Sequence, residues 1–383
     1  MLPDQTDLFA QIVEPDYYKS RWQSDIKSSI IYIGMIFCII IIAAGHDWVL
    51  LMNSIVITPA NKLAYILRGL GLLTSAAVLG WLAVHWNRPD KNAYAKYIFI
   101  WELTIILMSN FSDIMRPRSY YLSTVVEIPV ILSMYLVIPQ HNRILRVLPP
   151  VAFSLSLALI YAFYKVPTGL LGFGSLYLGL LFVNLIGIYF SDKMYANDYR
   201  LFYLSNIDEL TGLYNRRYLK KKLQEEWRRC LRQQKLLALF LVDIDYFKVF
   251  NDIYGHQHGD DTIRQVTWNL AKNINLPGAF ASRYGGEEFI IVLPDFSPDS
   301  ILPLAEFIRT SIEDLKIPHK SSAVSGWVTV SIGIATAMPN TAMDIELLVQ
   351  QADIALYQAK NQGRNQVVLY DRKLSDNSNC ADQ

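Results

Sequence analysis

Long apolar stretches dominate the first half of the chain, whereas short apolar runs alternate with charged, helix-forming stretches in the second. Six of the long stretches reach or approach the roughly 20 residues an α-helix needs to cross a hydrocarbon layer of about 30 Å. They lie near residues 29–51, 63–86, 94–115, 120–139, 144–164 and 169–190. The pattern predicts an α-helical transmembrane bundle of about six spans over 29–190, preceded by a polar segment, 1–28. The stretch EPDYYKSRWQSDIKSS lacks a small-residue cleavage site, so the first span is expected to be a retained anchor.

Composition sharpens this picture. Of the 383 residues 52% are hydrophobic and 18% charged, against about 25% charged in soluble domains. A disordered, collagen-like or small disulfide-stapled protein is thereby excluded. Thirty-five basic and 34 acidic residues leave a formal charge of +1, so no bulk attraction to nucleic acid is expected. Cys38, Cys230 and Cys380 are far apart and read as reduced thiols. The distribution of Lys and Arg sets the orientation. Lys19, Arg21, Lys27, Arg88, Lys91, Lys96, Arg143, Arg146, Lys193 and Arg200 fall on one side. Lys62, Arg116, Arg118 and Lys165 fall on the other. Both termini are therefore expected in the cytoplasm.

Ionisable residues inside spans are costly unless paired or hydrated. Arg68 and Glu127 sit at similar depth and could pair, with Glu102 nearer mid-span and Asp113 nearer the outer end. Two readings stay open, a structural ion pair or a site for a sensory ligand, proton or redox carrier. Pro129, Pro149 and Pro150 are candidate kinks. Residues 191–206 form a connector without Gly or Pro. Its Tyr195, Tyr199 and Phe202 suit either a dimer seam or a plain helical extension of the last span.

From 207 to 370 the pattern is that of an α+β fold, a mixed central sheet flanked by helices. LLALFLVDI reads as a buried strand ending in carboxylates, and FASRYGGEEFIIVLP as two strands around a Gly-Gly turn. Helices are expected over NRRYLKKKLQEEWRRCLRQQ, 261–274, 300–315 and 345–359, and strands over WVTVSIGIATA and QVVLY. The tail, 371–383, is polar and expected to be disordered.

Asp243 and Asp245 end the first strand, and Glu287 and Glu288 come just after the turn. If those strands are neighbours, Asp243 and Glu287 can face each other as hard oxygen ligands for Mg²⁺ held with substrate phosphates. YFKVFNDIYGHQHGDD adds Lys248, Asn251, His256 and Asp260. Amide and carboxylate groups suit guanine, whose N1–H and exocyclic amine are donors; adenine offers Asp260 no N1–H. Lys360 and Arg364, four apart at a helix end, can hold a triphosphate or mark a solvated face.

DELTGLYNRR, DIDYFKVFNDIYGHQHGDD, RYGGEEF and YQAKNQGRN, in that order, resemble the motif series of GGDEF-domain diguanylate cyclases. The resemblance covers about 207–370 and implies a fold like that of nucleotide cyclases and polymerase palms. It implies that Asp243, the Ile244 carbonyl and Glu287 bind two Mg²⁺ or Mn²⁺ per half-site, with Asp245 and Glu288 behind them. Glu287 would also take the proton of the attacking hydroxyl, and Lys248 would stabilise charge on phosphate. Asn251 and Asp260 would read guanine and His256 would contact the nucleotide, while Lys360 and Arg364 would hold the β- and γ-phosphates. The first acidic position of the signature is Glu in place of Asp, a variant active members share. The inhibitory RxxD motif is missing, since Leu276 and Ala279 occupy its charged positions. By this resemblance the chain is expected to be a homodimeric enzyme turning two GTP into cyclic di-GMP in a bacterial inner membrane. The alternatives are a GTP or cyclic di-GMP receptor, or a membrane transporter or receptor with a regulatory GGDEF domain.

Overall fold

The structure, a computed structural model, describes residues 3–52, 59–115, 123–165, 170–274, 276–340 and 343–371. Arg116, Arg118 and the tail from 372 lie outside the described residues. The chain divides into two compact units, residues 12–200 and residues 201–383, the latter grouped with 1–11.

The first unit is helical: α1 (Pro3–Met52), α2 (Pro59–Val84), α3 (Lys91–Met115), α4 (Ser123–Leu136), α5 (Arg143–Phe163) and α6 (Leu170–Asn206). Helix α1 begins well before the expected first span. Its polar lead segment carries Val13, Tyr17, Trp22 and Ile26 at helical spacing, and all four are buried, so an amphipathic face extends the helix toward the N-terminus. Among the described residues five helices are long and apolar enough to cross a membrane: Val13–Gly45, Ile66–Val84, Lys91–Met115, Arg143–Phe163 and Gly174–Asn206. The expected span over 120–139 departs from this. Its described helix, α4, has 14 residues, about 21 Å at 1.5 Å per residue. It stops at Leu136, ahead of Pro139, which disfavours helical backbone in the residue before it.

Burial in this unit is inverted relative to a water-soluble fold. Ile42, Ile66, Leu73, Leu155, Phe163 and Phe182 are exposed, whereas Arg68, Glu102, Asp113 and Glu127 are buried. An apolar exterior around buried charges suits a hydrocarbon solvent. Arg68 donates to the Ala43 carbonyl at 3.3 Å, and Ser109 donates to Glu127 at 3.4 Å. Pro129 lies inside α4, and Pro149 and Pro150 lie inside α5. Helix α6 runs unbroken through the connector to Asn206. Tyr195 and Tyr199 pack edge-on against Tyr17, with ring centres 6.1 and 5.1 Å away.

The second unit continues with α7 (Arg216–Gln233), β1 (Leu237–Ile244), α8 (Phe247–Tyr254), α9 (His256–Asn273), β2 (Phe280–Gly285), β3 (Glu288–Pro294), α10 (Pro298–Glu313), β4 (Val330–Ala337), α11 (Ile345–Asn361) and β5 (Val367–Leu369). The sheet order is β2-β3-β1-β4-β5, with only β4–β5 parallel. Every residue of β1 is buried, as its unbroken apolar run requires of a central strand covered on both faces. Helices α7 and α11 pack against β1, while α10 packs on β4 and β5 and α9 on β2. Phe202, from the end of α6, packs against Tyr218 at 5.8 Å.

Candidate active site

Strand β1 runs antiparallel to both neighbours, so its C-terminal end lies beside the starts of β3 and β4. Asp243 pairs in register with Glu288 on one side and Ser331 on the other. The residue directly across from Asp243 is therefore Glu288, where the sequence suggested Glu287. Glu287 sits in the preceding turn, which Gly286 closes at φ 52°, a conformation that costs glycine nothing.

Asp243 is 6% exposed. Burial pushes its carboxyl up to about 6, opposed by the Lys360 ammonium and reinforced by the charges of Glu287 and Glu288. Lys360, from the last turn of α11, lies 2.8 Å from Asp243 Oδ2. Three carboxylates thus crowd one strand end, with one ammonium against the most buried of them. Among the described residues no cluster of three or more His, Cys, Asp or Glu side chains is arranged for a metal. Two carboxylates and the Ile244 carbonyl would suffice for Mg²⁺, which is typically bound by one or two carboxylates together with substrate phosphates and water. The crowding of negative charge at a buried carboxylate fits such a cation.

The candidate nucleotide contacts that follow β1 fall on the short helix α8 and on the first turns of α9. Lys248 and Asn251 lie three apart on α8, with Lys248 exposed and Asn251 half-buried. Asn251 Oδ1 is buried without a hydrogen-bond partner. It lies where a Cβ on Gly259 would meet it at 1.9 Å, so only glycine at 259 admits this packing. His256 and Asp260 stand one turn apart at the start of α9, both exposed. Asn251 thus carries an unsatisfied amide oxygen and Asp260 an exposed carboxylate, both acceptors of the kind the donors of a base edge require.

Asp245, expected behind the metal ligands, is tied to the next strand and to the loop after α11. Only 1% exposed, it accepts hydrogen bonds from Thr329 Oγ1 at 2.8 Å, Ser331 Oγ at 2.6 Å and the Asn365 amide at 3.0 Å. The last bond holds a loop in which Gly363, Arg364 and Asn365 all have positive φ. Arg364 is thereby set over the Tyr246 ring, 4.3 Å from its centre, with a 3.1 Å hydrogen bond to the Tyr246 hydroxyl. Sequence alone did not single out Tyr246, Thr329, Ser331 or Asn365. Asn365 does lie in the QGRN run, but its partner is 120 positions away.

Arg283 clamps the other side of the turn. Its Nη1 lies 3.1 Å from Asp208 Oδ1, and its Nε donates to the Gly286 carbonyl at 2.9 Å. Leu276 and Ala279 are partly exposed.

Residues 205–366 match the family described as the diguanylate cyclase GGDEF domain. This part of the chain is a GGDEF domain. Over 168 residues the chain is 39% identical to the diguanylate cyclase DosC of Escherichia coli K12, covering 44% of this chain and 36% of that protein. It is 38% identical over 170 residues to the response regulator PleD of Caulobacter vibrioides NA1000, covering 43% and 36%. A solved structure of the coiled coil and GGDEF domain of DgcB from Caulobacter crescentus, in complex with c-di-GMP, is 30% identical. The match covers 46% of this chain and 92% of that one, with a TM-score of 0.43. The chain thus spans little more than a third of the length of the curated relatives it matches.

Proposed function

We propose that the chain is a diguanylate cyclase held in the bacterial cytoplasmic membrane, with both termini in the cytoplasm and activity controlled by the helical unit. The observation that carries this reading is the convergence of distant motifs on one end of β1. Asp243 and Glu287 sit there with Lys360, and Lys248 and Asn251 come directly after on α8. Each domain would bind one GTP. The 3′-hydroxyl of one would attack the α-phosphorus of the other, forming a P–O bond as the α–β bridge breaks and pyrophosphate leaves. Two such events give cyclic di-GMP and two pyrophosphates, so two domains must face each other across a two-fold axis.

In this reading Asp243, the Ile244 carbonyl and Glu287 would hold two Mg²⁺ or Mn²⁺ ions, whose charge would lower the pKa of the hydroxyl and offset charge on the leaving group. Glu287 takes the hydroxyl proton. Asn251 and Asp260 accept from guanine, and His256 contacts the nucleotide. Lys248 faces the developing phosphate charge, while Lys360 leaves Asp243 to join Arg364 on the β- and γ-phosphates. Positioning supplies much of the acceleration. Inhibition through an RxxD site is not expected, because Leu276 and Ala279 carry no charge and Arg283 is held by Asp208.

The test is product analysis of the full chain in detergent with GTP and Mg²⁺, beside Glu287→Gln. Cyclic di-GMP and pyrophosphate in a 1:2 ratio from the parent, and neither from the variant, is the expected result. GTP binding without product from the dimeric parent would replace this reading with that of a nucleotide receptor.

A further inference from the structure

The helical unit contains a second polar centre, distinct from the buried Arg68, Glu102 and Glu127. It lies where the early part of α1, the 137–142 loop and the 191–198 stretch of α6 meet around a cavity of about 160 Å³. A single water needs only about 10–15 Å³ by such a measure, so the space suits a larger guest.

Its walls are built and largely cross-linked. Arg21 pairs with Asp198 at 2.9 Å, Arg146 pairs with Asp192, and His141 Nε2 meets Asp25 Oδ2 at 2.8 Å. Arg21 Nη2 also stands 3.5 Å from Asp25 Oδ1, an ion pair without a hydrogen bond. Gln140, Arg146 and Asp25 are 3%, 6% and 3% exposed. Several polar atoms of these same side chains are nevertheless buried without a hydrogen-bond partner. They are the donors Arg21 Nε, Gln140 Nε2 and Arg146 Nε, with Asp25 Oδ1 and His141 Nδ1. Burying a polar group unsatisfied is costly, and five around one cavity form a pattern of demand. With Asp25 ionised, His141 donates through Nε2 and leaves Nδ1 as an acceptor. The side chains that line the cavity therefore carry three unpartnered donors, from guanidinium and amide groups, and two unpartnered acceptors. Tyr17 and Tyr195 supply aromatic wall.

We propose that this cavity binds a small amino acid, its carboxylate accepting from Arg21, Gln140 and Arg146 and its ammonium donating to Asp25 and His141. A simple anion would leave Asp25 and His141 unsatisfied, and a simple cation would leave the three donors so. The same side chains hold α6 through Asp192 and Asp198, and α6 continues as one helix to Asn206. A guest here would act on the helix that leads into the GGDEF domain. The proposal concerns binding and does not depend on the catalytic reading.

The test is thermal unfolding of the full chain in detergent, titrated separately with each of the twenty amino acids, sodium acetate and ammonium chloride at matched ionic strength. At least one amino acid is expected to stabilise saturably, with acetate and ammonium at least tenfold weaker. Gln140→Leu removes one donor at similar volume, and Arg21→Lys keeps the charge facing Asp198 but loses Nε; each should weaken the effect at least tenfold. Arg21 is 35% exposed, so the second variant remains informative if the first fails to fold. The proposal is overturned if no amino acid stabilises saturably, if acetate does as well, or if a folded variant responds like the parent.

Discussion

Asp243 and Asp245 are two positions apart on one strand end, yet their surroundings give them opposite tasks. Asp245 is saturated by three donors, and its bond to the Asn365 amide offsets the cost of a loop with three successive positive φ values. In Asp245→Asn an NH₂ would face a donor. About 2–4 kcal/mol of domain stability should be lost, seen as a lower melting temperature, and the affinity for GTP should drop as Arg364 loses its seat. Asp243 has one ammonium partner and two like charges nearby. Its carboxyl, raised to about 6, binds its proton more tightly folded than unfolded. Between about pH 4 and 6 the metal-free native state holds the extra proton, so stability falls as pH rises through that window. At 1.36 kcal/mol per unit the effect is about 3 kcal/mol, and Asp243→Asn should abolish it in a melting-temperature series. For metal the sign reverses, because below about pH 6 the neutral carboxyl is a poor ligand. Mn²⁺ affinity measured by calorimetry should therefore decline there, well above the ordinary carboxylate range.

At the scale of elements, legibility tracked the strength of the periodic signal. The apolar run of β1, the Gly-Gly hairpin and the helices α7, α10 and α11 were readable because each pattern persists over enough residues to separate helix from strand. Helix α8 was not. It has eight residues, its N-cap Tyr246 supplies no side-chain cap, and Gly255 ends it at once. The start of α1 was hidden because polar residues mask an apolar face that only packing reveals. The motifs marked the candidate site residues, whereas the grip of Asp245 on Asn365 was not legible, since it joins residues that meet only after folding. Packing also exposes Gly333 on β4. A Cβ there would come within 2.2 Å of the Leu356 amide nitrogen and 2.3 Å of the Ala352 carbonyl on α11. Backbone cannot yield as a side chain can, so Gly333→Ala must lift α11 from the sheet. The expected cost is about 3 kcal/mol or more, together with a loss of GTP affinity greater than the loss of fold, because Lys360 lies in the last turn of that helix and Arg364 in the loop it leads into. Wild-type affinity in this variant would show that α11 does not set their position.

At the scale of the whole molecule, the proposed reaction makes a symmetric product from two half-sites, and this separates it from any single-chain mechanism. Each half-site forms one of the two phosphodiester bonds. A dimer of one parent chain and one Glu287→Gln chain would keep one working half-site. It should form a single bond, releasing one pyrophosphate and stopping at the linear dinucleotide that still carries a 5′-triphosphate. Random exchange in an equal mixture leaves about a quarter of the dimers wholly parental. Cyclic di-GMP output per total chain should then fall to about a quarter of the parent value, with linear dinucleotide appearing in its place. Output at half, without linear product, would mean that each chain completes both bonds alone. The helical unit has its place in the same experiment. Helix α6 runs without interruption from Leu170 to Asn206, so exchange has to be carried out on full chains in detergent, where that helix and whatever pairing it imposes are kept. Measured first without and then with an amino acid that fills the cavity beside α6, the total rate and the ratio of cyclic to linear product together report which step the ligand acts on. A change in total rate at constant ratio would place the effect on encounter of the half-sites, and a change in ratio would place it on the second bond.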